Sequence, residues 1–326
     1  MEDDTILEIK NLAVSFASET GRIRAIDDVG FAVPKGKTLG LVGESGCGKS
    51  VTALSVMRLL PKPSGEIEQG EILFNDDDIV KLPTDRMQKI RGNRISMIFQ
   101  EPMTALNPVH RIGRQLEEVF CLHFPGMKLK ERRDRSIEML MNVGIPDPVK
   151  RFREYPHQIS GGMRQRVMIA IALACKPELL IADEPTTALD VTVQAQILAL
   201  IEKLQKDTGM SVMFITHDLG VIAEICDDVV VMYAGRVAEH AGVKSLFKNP
   251  RHPYTRGLLS SIPRLENKRK SRLRIIKGMV PGLDEFPKGC RFQNRCSEVM
   301  EICKIEQPGM TAVGNGHCAA CHHLSL

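Results

Sequence analysis

The stretch GESGCGKS, Gly43–Ser50, fits the pattern G-x-x-x-x-G-K-[ST] at every fixed position. Glycines let backbone N–H groups turn toward a phosphate, and the positive end of the following helix faces the same anion. Lys49 adds a point charge for the β- and γ-phosphates, and the Ser50 hydroxyl suits Mg²⁺. The stretch therefore predicts a site for a nucleoside triphosphate with Mg²⁺.

The sequence on both sides of this loop indicates an α/β core. The runs ISMIF, ELLIADEP and MSVMFITHD are short, apolar and ended by polar residues, which is typical of strands covered on both faces. ILEIKNLAVSF and GEILFN are also predicted to be strands. The helix that opens at Lys49 is predicted to continue until Pro61 stops it. Between Gln100 and Tyr155 the apolar spacing becomes helical, which predicts a helical insertion.

Composition excludes several classes of protein. Aromatic residues make up 4% of the 326 residues, Trp is absent and the net charge is +4, which argues against nucleic-acid binding. The longest apolar run, Val167–Cys175, has nine residues, whereas a membrane span needs about 20. The acidic N-terminus lacks the features of a signal peptide. We therefore expect a cytosolic protein whose thiols stay reduced.

Two carboxylates directly follow a predicted buried strand. Asp183 stands where a carboxylate can hold Mg²⁺ through water, and Glu184 is placed to polarise an attacking water. A solvated turn is the alternative for an Asp-Glu pair by itself. The four apolar residues before the pair, together with the phosphate loop, favour the catalytic interpretation.

A second anion site is predicted in QISGGMRQR, Gln158–Arg166. Ser160, Gly161 and Gly162 open a helix, whose N-terminus attracts anions. Because one ATP uses one phosphate loop, we expect this second site to serve an ATP held by another subunit.

The order phosphate loop, Gln100, ISGG, LLIADEP, ALD and His217 resembles the ATP-binding subunits of ABC transporters, over nearly the whole chain. The resemblance implies a P-loop ATPase core with an antiparallel β lobe, a helical subdomain and a small Cys-rich C-terminal extension. The implied nucleotide-binding domain is residues 1–262, with the helical subdomain at about 101–160. The extension is residues 263–326.

The resemblance also implies a role for each site residue. Gln100 would contact Mg²⁺ and the lytic water, His217 the γ-phosphate, and Asp190 the dimer interface. Phe16 matches the aromatic that stacks on adenine, with a core position at a strand end as the alternative. The implied catalytic residues are Glu184, His217 and Gln100. The implied ATP and Mg²⁺ contacts are Phe16, Gly43, Glu44, Ser45, Gly46, Cys47, Gly48, Lys49, Ser50, Val51, Gln100 and Asp183. The signature residues Ser160, Gly161 and Gly162 would face the partner's ATP.

Four longer stretches indicate which branch of this family the chain resembles: IFQEPMTALNP, YPHQISGGM, IADEPTTALDVTVQAQIL and RHPYTRGLLSSIP. They resemble the peptide/nickel importer branch, and within it the dipeptide-type D subunit. This implies an ATPase bound peripherally at the cytoplasmic face of the inner membrane, powering uptake of di- or oligopeptides. The implied partners are a homologous F-type ATPase, two transmembrane permease subunits and an extracytoplasmic peptide-binding protein. Import of nickel or another small solute, a soluble ABC ATPase, and a module that binds ATP only as a structural ligand are the alternatives.

Five of the nine cysteines lie in the last 37 residues. Cys290, Cys296 and Cys303 are widely spaced, and Cys318 and Cys321 follow near the end. Zinc sites favour close Cys-x₂₋₄-Cys pairs, so wide spacing favours an iron–sulfur cluster.

The tail also resembles the C-terminal extension of importer D subunits, some of which carry a [4Fe-4S] cluster. The resemblance implies Cys290, Cys296, Cys303 and Cys321 as the ligands, with Cys318 as an alternative fourth ligand. Zinc held by cysteines, or by a nearby His317, His322 or His323, remains open, as do free thiols. The expected role of the metal is structural, since it would close an extension with little core of its own.

The segment RLENKRKSRLRIIK, Arg264–Lys277, carries seven basic residues in fourteen. We expect a solvated linker, with contact to anionic lipid headgroups as the alternative.

Overall fold

The computed structural model of the chain describes residues 5–19, 21–100, 105–187, 190–262, 275–314 and 316–324. The chain divides into two compact units, the first formed by Met1–Val80 and Phe214–Leu326 and the second by Lys81–Met213. Most of the basic segment Arg264–Lys277 lies outside the described residues, so the choice between linker and lipid contact stays a prediction.

The described chain opens with three consecutive strands and carries a run of helices in its middle, and on both sides of that run strands alternate with helices. The strands are β1 (Thr5–Ser18), β2 (Gly21–Pro34), β3 (Thr38–Val42), β4 (Gly65–Phe74), β5 (Asp77–Asp78), β6 (Ile95–Ile98), β7 (Leu179–Asp183), β8 (Ser211–Thr216), β9 (Asp228–Tyr233), β10 (Arg236–Gly242), β11 (Thr311–Gly314) and β12 (His317–Ala319). The helices are α1 (Lys49–Val56), α2 (Thr84–Ile90), α3 (Ile112–His123), α4 (Leu129–Asn142), α5 (Pro148–Arg151), α6 (Gly161–Leu173), α7 (Val191–Thr208), α8 (Leu219–Ile225), α9 (Val243–Lys248), α10 (Pro253–Ser260) and α11 (Glu301–Ile305). Short 3₁₀ turns cover Pro156–Gln158, Gln293–Arg295 and His322–Leu324.

In the first unit, an antiparallel sheet has the strand order β2-β1-β4-β5. Its longest pairing joins β1 to β2, with Leu7 opposite Val33 and Phe16 opposite Ile23. Apolar side chains of β1 such as Leu7 and Leu12 are fully buried. Both segments predicted as strands at this end of the chain, ILEIKNLAVSF and GEILFN, therefore form strands, and they are the central pair β1 and β4.

The first unit also contains the strand order β11-β12-β10-β9-β3. β3 runs parallel to β9, and every residue of β3 is buried. β12 pairs antiparallel with β10, with Glu239 opposite Ala319 and His240 opposite Cys318. The C-terminal residues therefore extend the edge of the sheet that carries the phosphate loop. Phe292 joins the same core, packing against Tyr254.

Helix α1 ends earlier than predicted. The sequence indicates a helix as far as Pro61, but α1 ends at Val56. Arg58 adopts a left-handed backbone conformation with φ +50°, and the Leu59 N–H donates to the carbonyl of Leu54 at 2.8 Å. This is a Schellman-type helix end, which normally carries glycine at the left-handed position. Because Arg stands there, the usual sequence signal is absent.

The second unit is built on two parallel strands and a group of helices. β6 pairs with β7 in parallel, and both strands are buried along their whole length. Helices α3, α4 and α5 occupy the segment predicted to be a helical insertion, and α6 follows. Phe120, Met127 and Ala174 form a small apolar core among them. Among the described residues, no helix combines the length and the apolar character that a bilayer crossing requires.

Candidate active site

The phosphate loop lies between β3 and α1 in the first unit, and glycines fix its path. Gly46 and Gly48 have φ of +80° and +102°, a backbone conformation that residues with a side chain rarely adopt. A Cβ on Gly43 would lie 2.3 Å from the Met232 carbonyl oxygen, so only glycine fits. The loop is held from the β9–β10 turn, where the Gly235 N–H donates to the Cys47 carbonyl at 3.0 Å.

Lys49 is the first residue of α1, and its side chain turns back into the loop. It is only 5% exposed, and its Nζ donates to the carbonyls of Gly43 at 2.8 Å and Glu44 at 3.1 Å. Burial raises the pKa of the adjacent Cys47 thiol, which suits a packing residue better than a nucleophile. The positive charge of Lys49 therefore lies inside the loop, against two of its backbone carbonyls.

In the second unit, Asp183 and Glu184 stand at the carboxyl end of β7. Asp183 is 3% exposed. Glu184 has φ +46°, an uncommon conformation for a residue other than glycine. Its Oε2 accepts hydrogen bonds from Gln100 Nε2 at 3.2 Å and Thr187 Oγ1 at 2.9 Å. The structure therefore brings Gln100 and Glu184 together. It adds Thr187, which no sequence pattern pointed to.

Two helix N-termini of the second unit carry the predicted signature residues and the predicted interface residue Asp190. The exposed Ser160 caps α6 by accepting from the Met163 N–H at 3.3 Å. Asp190 caps α7 by accepting from the Val193 N–H at 2.9 Å. A Cβ on Gly162 would lie 3.2 Å from Val193, whereas Gly161 faces open space. Ser160 and Gly161 are therefore accessible to a ligand that approaches the start of α6.

His217 and Phe16 belong to the first unit. His217 follows β8 and is exposed, and the turn around it is fixed because Asp218 caps α8 through the Gly220 N–H at 2.7 Å. Phe16 is half-buried on β1 and packs so closely on Gly65 that a Cβ there would lie 2.9 Å from its ring. Phe16 is thus partly accessible rather than a fully buried core residue.

Four tail cysteines line one small pocket of the first unit: Cys290, Cys296, Cys303 and Cys321. The Cys290 N–H donates to the Cys303 carbonyl at 2.7 Å. Burial, and in smaller measure the three neighbouring thiols, raise the pKa of Cys290 to about 11. Cys318 does not line this pocket and sits in β12, opposite His240. Within the described ranges, no three His, Cys, Asp or Glu side chains are grouped to hold a single metal ion.

The three histidines considered as zinc ligands have hydrogen bonds of their own. His317 is 4% exposed, with Nε2 at 2.7 Å from Glu239 Oε1 and Nδ1 at 3.1 Å from Ser245 Oγ. Nε2 of His322 and of His323 lies within hydrogen-bond distance of a backbone carbonyl, at 3.0 and 2.7 Å. Both ring nitrogens of His317 are therefore engaged, and one in each of the other two.

Comparison with known proteins assigns the family. The ABC transporter family matches residues 26–187. A probable peptide ABC transporter ATP-binding protein of Sinorhizobium fredii is 52% identical over 318 residues, which cover 98% of this chain and 95% of that protein. The chain belongs to the ATP-binding subunits of ABC transporters. A dipeptide transport ATP-binding protein of Bacillus subtilis is 50% identical over 98% of this chain and 94% of its own length.

Solved structures agree with this ABC assignment. A dimeric bacterial ABC transporter cassette matches with a TM-score of 0.66 and 28% identity, covering 73% of this chain and 98% of that one. The same cassette in a post-hydrolysis state, bound to ADP and phosphate, matches with a TM-score of 0.65. The predicted cassette fold and the predicted ATPase activity are confirmed, and ATP with Mg²⁺ is the cofactor pair typical of such ATPases.

The C-terminal part of this ABC subunit identifies its branch. Residues 238–303 match the C-terminal region of oligopeptide/dipeptide transporters. The resemblance to the peptide importer branch, found in the sequence, is thereby confirmed. The chain is the ATPase subunit of an ABC importer.

Proposed function

We propose that this subunit powers the uptake of di- and oligopeptides through separate membrane subunits. The match of residues 238–303 carries the proposal, because the ATPase core alone is shared by transporters of many solutes. Relatives named for peptide and dipeptide transport, at 52% and 50% identity, support the same substrate class.

The proposed reaction transfers the γ-phosphoryl group of ATP to water. Lys49 and the loop N–H groups hold the phosphates, and Glu184 accepts the proton of the attacking water. Ser50 directly, and Asp183 through water, would hold Mg²⁺, which would neutralise negative charge on the phosphates. The two hydrogen bonds to Glu184 Oε2 support its role, because they fix the carboxylate in one orientation.

Gln100 is proposed to place the lytic water, since its amide already lies beside Glu184. His217 is proposed to contact the γ-phosphate. The partial exposure of Phe16 supports stacking on adenine.

The start of α6 is proposed to bind the ATP of a second ATPase in a head-to-tail dimer. Ser160, Gly161 and Gly162 offer a hydroxyl and backbone N–H groups at the positive end of a 13-residue helix. Asp190 is proposed to lie at the same dimer interface. The dimeric form of the matching cassette supports this arrangement.

The proposed complex contains two transmembrane permease subunits, a homologous F-type ATPase and an extracytoplasmic peptide-binding protein. The chain would lie peripherally at the cytoplasmic face of the cell membrane. The proposed division is a nucleotide-binding domain at residues 1–262 and an extension at 263–326.

Purification through a tag on this chain tests the assembly. From solubilised membranes we expect two polytopic membrane subunits and a second ATPase to purify with it in stable ratio. Recovery of the chain without any membrane subunit, from both membrane and soluble fractions, would instead identify a soluble ABC ATPase.

We further propose that Cys290, Cys296, Cys303 and Cys321 hold a [4Fe-4S] cluster. Their position around one pocket supports the set, and the location of Cys318 in β12 argues against it as the fourth ligand. Each cysteine of such a cluster binds a different iron atom, so cysteines spread around a pocket suit a cluster better than one zinc ion. The hydrogen bonds already made by the three histidines also disfavour mixed zinc ligation. The cluster would stabilise the loops of the extension.

The Cys290→Ser variant is expected to lose the metal, because serine replaces one thiolate of the set. Anaerobically purified wild-type protein should be brown, with about four irons per chain. Iron and zinc contents measured for each variant check this, with Cys318→Ser as the matched control that keeps its iron. One zinc per wild-type chain, or full iron in Cys290→Ser, would contradict the assignment.

A further inference from the structure

Arg295 belongs to a short 3₁₀ turn of the C-terminal region, yet its guanidinium reaches the phosphate loop. Its Nη1 donates to Glu44 Oε2 at 2.6 Å, and its Nη2 donates to Glu44 Oε1 at 3.0 Å. The Arg295 side chain is only 4% exposed, and that of Glu44 is 32% exposed. Two parallel bonds between a guanidinium and a carboxylate form the strongest and most directional kind of ion pair.

The side chain of Arg295 is also held by groups other than Glu44. Its Nε donates to the Lys277 carbonyl at 3.0 Å. Its guanidinium carbon lies 5.7 Å from the centre of the Tyr233 ring, and Nη1 lies 3.4 Å from the Tyr233 hydroxyl. The hydrogen bonds to Glu44 raise the pKa of Arg295, so it stays charged. The C-terminal region thus holds the positive charge of Arg295 in a fixed position.

The backbone of Glu44 is held by a second residue, Tyr254. Its N–H donates to the Tyr254 hydroxyl at 2.9 Å. Tyr254 is fully buried, with its ring centre 5.4 Å from that of Phe292, three residues before Arg295. The Glu44 carbonyl accepts from Lys49 Nζ at 3.1 Å. Fixing Glu44 therefore fixes part of the cradle that Lys49 contacts.

The positive charge of Arg295 has a second effect, on the electrostatics of the phosphate loop. Glu44 is an acidic residue inside a loop that binds polyanionic phosphates. An uncompensated carboxylate there would repel the nucleotide, and a paired one repels it far less. Arg295 therefore both positions Glu44 and neutralises it.

We propose that Arg295 is a positioning residue of the nucleotide site, through which the C-terminal region sets the affinity of the phosphate loop for ATP. This inference rests on the proposed role of the phosphate loop. Arg295 touches Glu44 rather than the nucleotide, so its loss should weaken ATP binding and leave the chemical step almost intact.

The test compares the full-length chain in its purified transporter complex as wild type, Arg295→Ala, Arg295→Lys, Glu44→Gln and the double variant Glu44→Gln/Arg295→Ala. The measurements are the Kd for ATP by calorimetry, and KM and kcat for hydrolysis. Arg256→Ala is the matched control, because Arg256 makes a 2.7 Å ion pair with Glu298 of the same region, so its carboxylate partner is not Glu44.

Arg295→Ala should raise Kd and KM about tenfold, the cost of losing a charged hydrogen-bond pair. The value of kcat should stay within about twofold. Arg295→Lys keeps the charge without the paired geometry and should give an intermediate Kd. In the Glu44→Gln background, Arg295→Ala should change Kd by less than about threefold, since there is no carboxylate left to hold. Arg256→Ala should match wild type.

A wild-type Kd in Arg295→Ala, or an equal rise in Arg256→Ala, would overturn the proposal. If Arg295→Ala does not fold, an unchanged Kd in Arg295→Lys overturns it instead. The Lys49→Ala variant distinguishes failure of the positioning role from failure of the phosphate-loop assignment. If Lys49→Ala loses ATP binding and Arg295→Ala keeps wild-type affinity, only the positioning role of Arg295 is refuted. If Lys49→Ala binds ATP as wild type does, the phosphate-loop assignment itself is refuted.

Discussion

Replacing Glu184 with glutamine is expected to lower the ATP hydrolysis rate of the assembled transporter roughly 10²–10⁴-fold, with ATP affinity unchanged. The substitution removes the proton acceptor and keeps the size of the side chain. The amide oxygen of glutamine can still accept from Gln100 and Thr187, which donate to Glu184 at 3.2 and 2.9 Å. The local geometry should therefore survive, and the variant should accumulate an ATP-bound closed dimer.

Phosphate release at saturating ATP, together with ATP affinity, measures this effect. Glu202→Gln is the matched control, because Glu202 lies on the surface of α7 and makes an exposed ion pair with Lys206. A Glu184→Gln complex that keeps more than about a tenth of the wild-type rate would show that Glu184 is not the general base.

Lys49→Ala is expected to weaken ATP binding itself, by roughly 100-fold in Kd. The change removes a 95%-buried charge whose ammonium group lies against the Gly43 and Glu44 carbonyls, at the centre of the loop. The two variants should thus differ, since Glu184→Gln leaves ATP affinity unchanged and Lys49→Ala weakens it.

Calorimetric titration with ATP and Mg²⁺ distinguishes the two variants. Lys37→Ala serves as the control, because Lys37 precedes β3 and makes an exposed ion pair with Asp227 at 3.3 Å. Wild-type affinity in Lys49→Ala would refute the assignment of Gly43–Ser50 as the phosphate loop.

The parts of the fold that follow from local pattern could be predicted. β3, β6, β7 and β8 are buried on every residue, so continuous apolar runs mark them in the sequence. The phosphate loop is equally visible, because its glycines are required by backbone geometry. The end of α1 was predicted too late, since an arginine stands at the left-handed position where glycine would have signalled the stop.

Contacts between distant residues could not be predicted in this way. Arg295 and Glu44 are 251 positions apart, and neither lies in a periodic pattern that points to the other. The sequence also left His317 open as a zinc ligand, and its burial between Glu239 and Ser245 became visible only when β12 was placed beside β10. Pairings of this kind depend on the tertiary fold.

Peptide import driven by ATP hydrolysis is the central claim, and its most direct test is transport by the complete purified complex. The measurement is accumulation of a labelled dipeptide inside proteoliposomes, with ATP enclosed and the peptide-binding protein outside. We predict uptake that requires both ATP and the binding protein, and that is lost when this chain carries Glu184→Gln. A complex that hydrolyses ATP at the same rate with and without peptide, and accumulates none of a panel of di- and oligopeptides, would contradict the account.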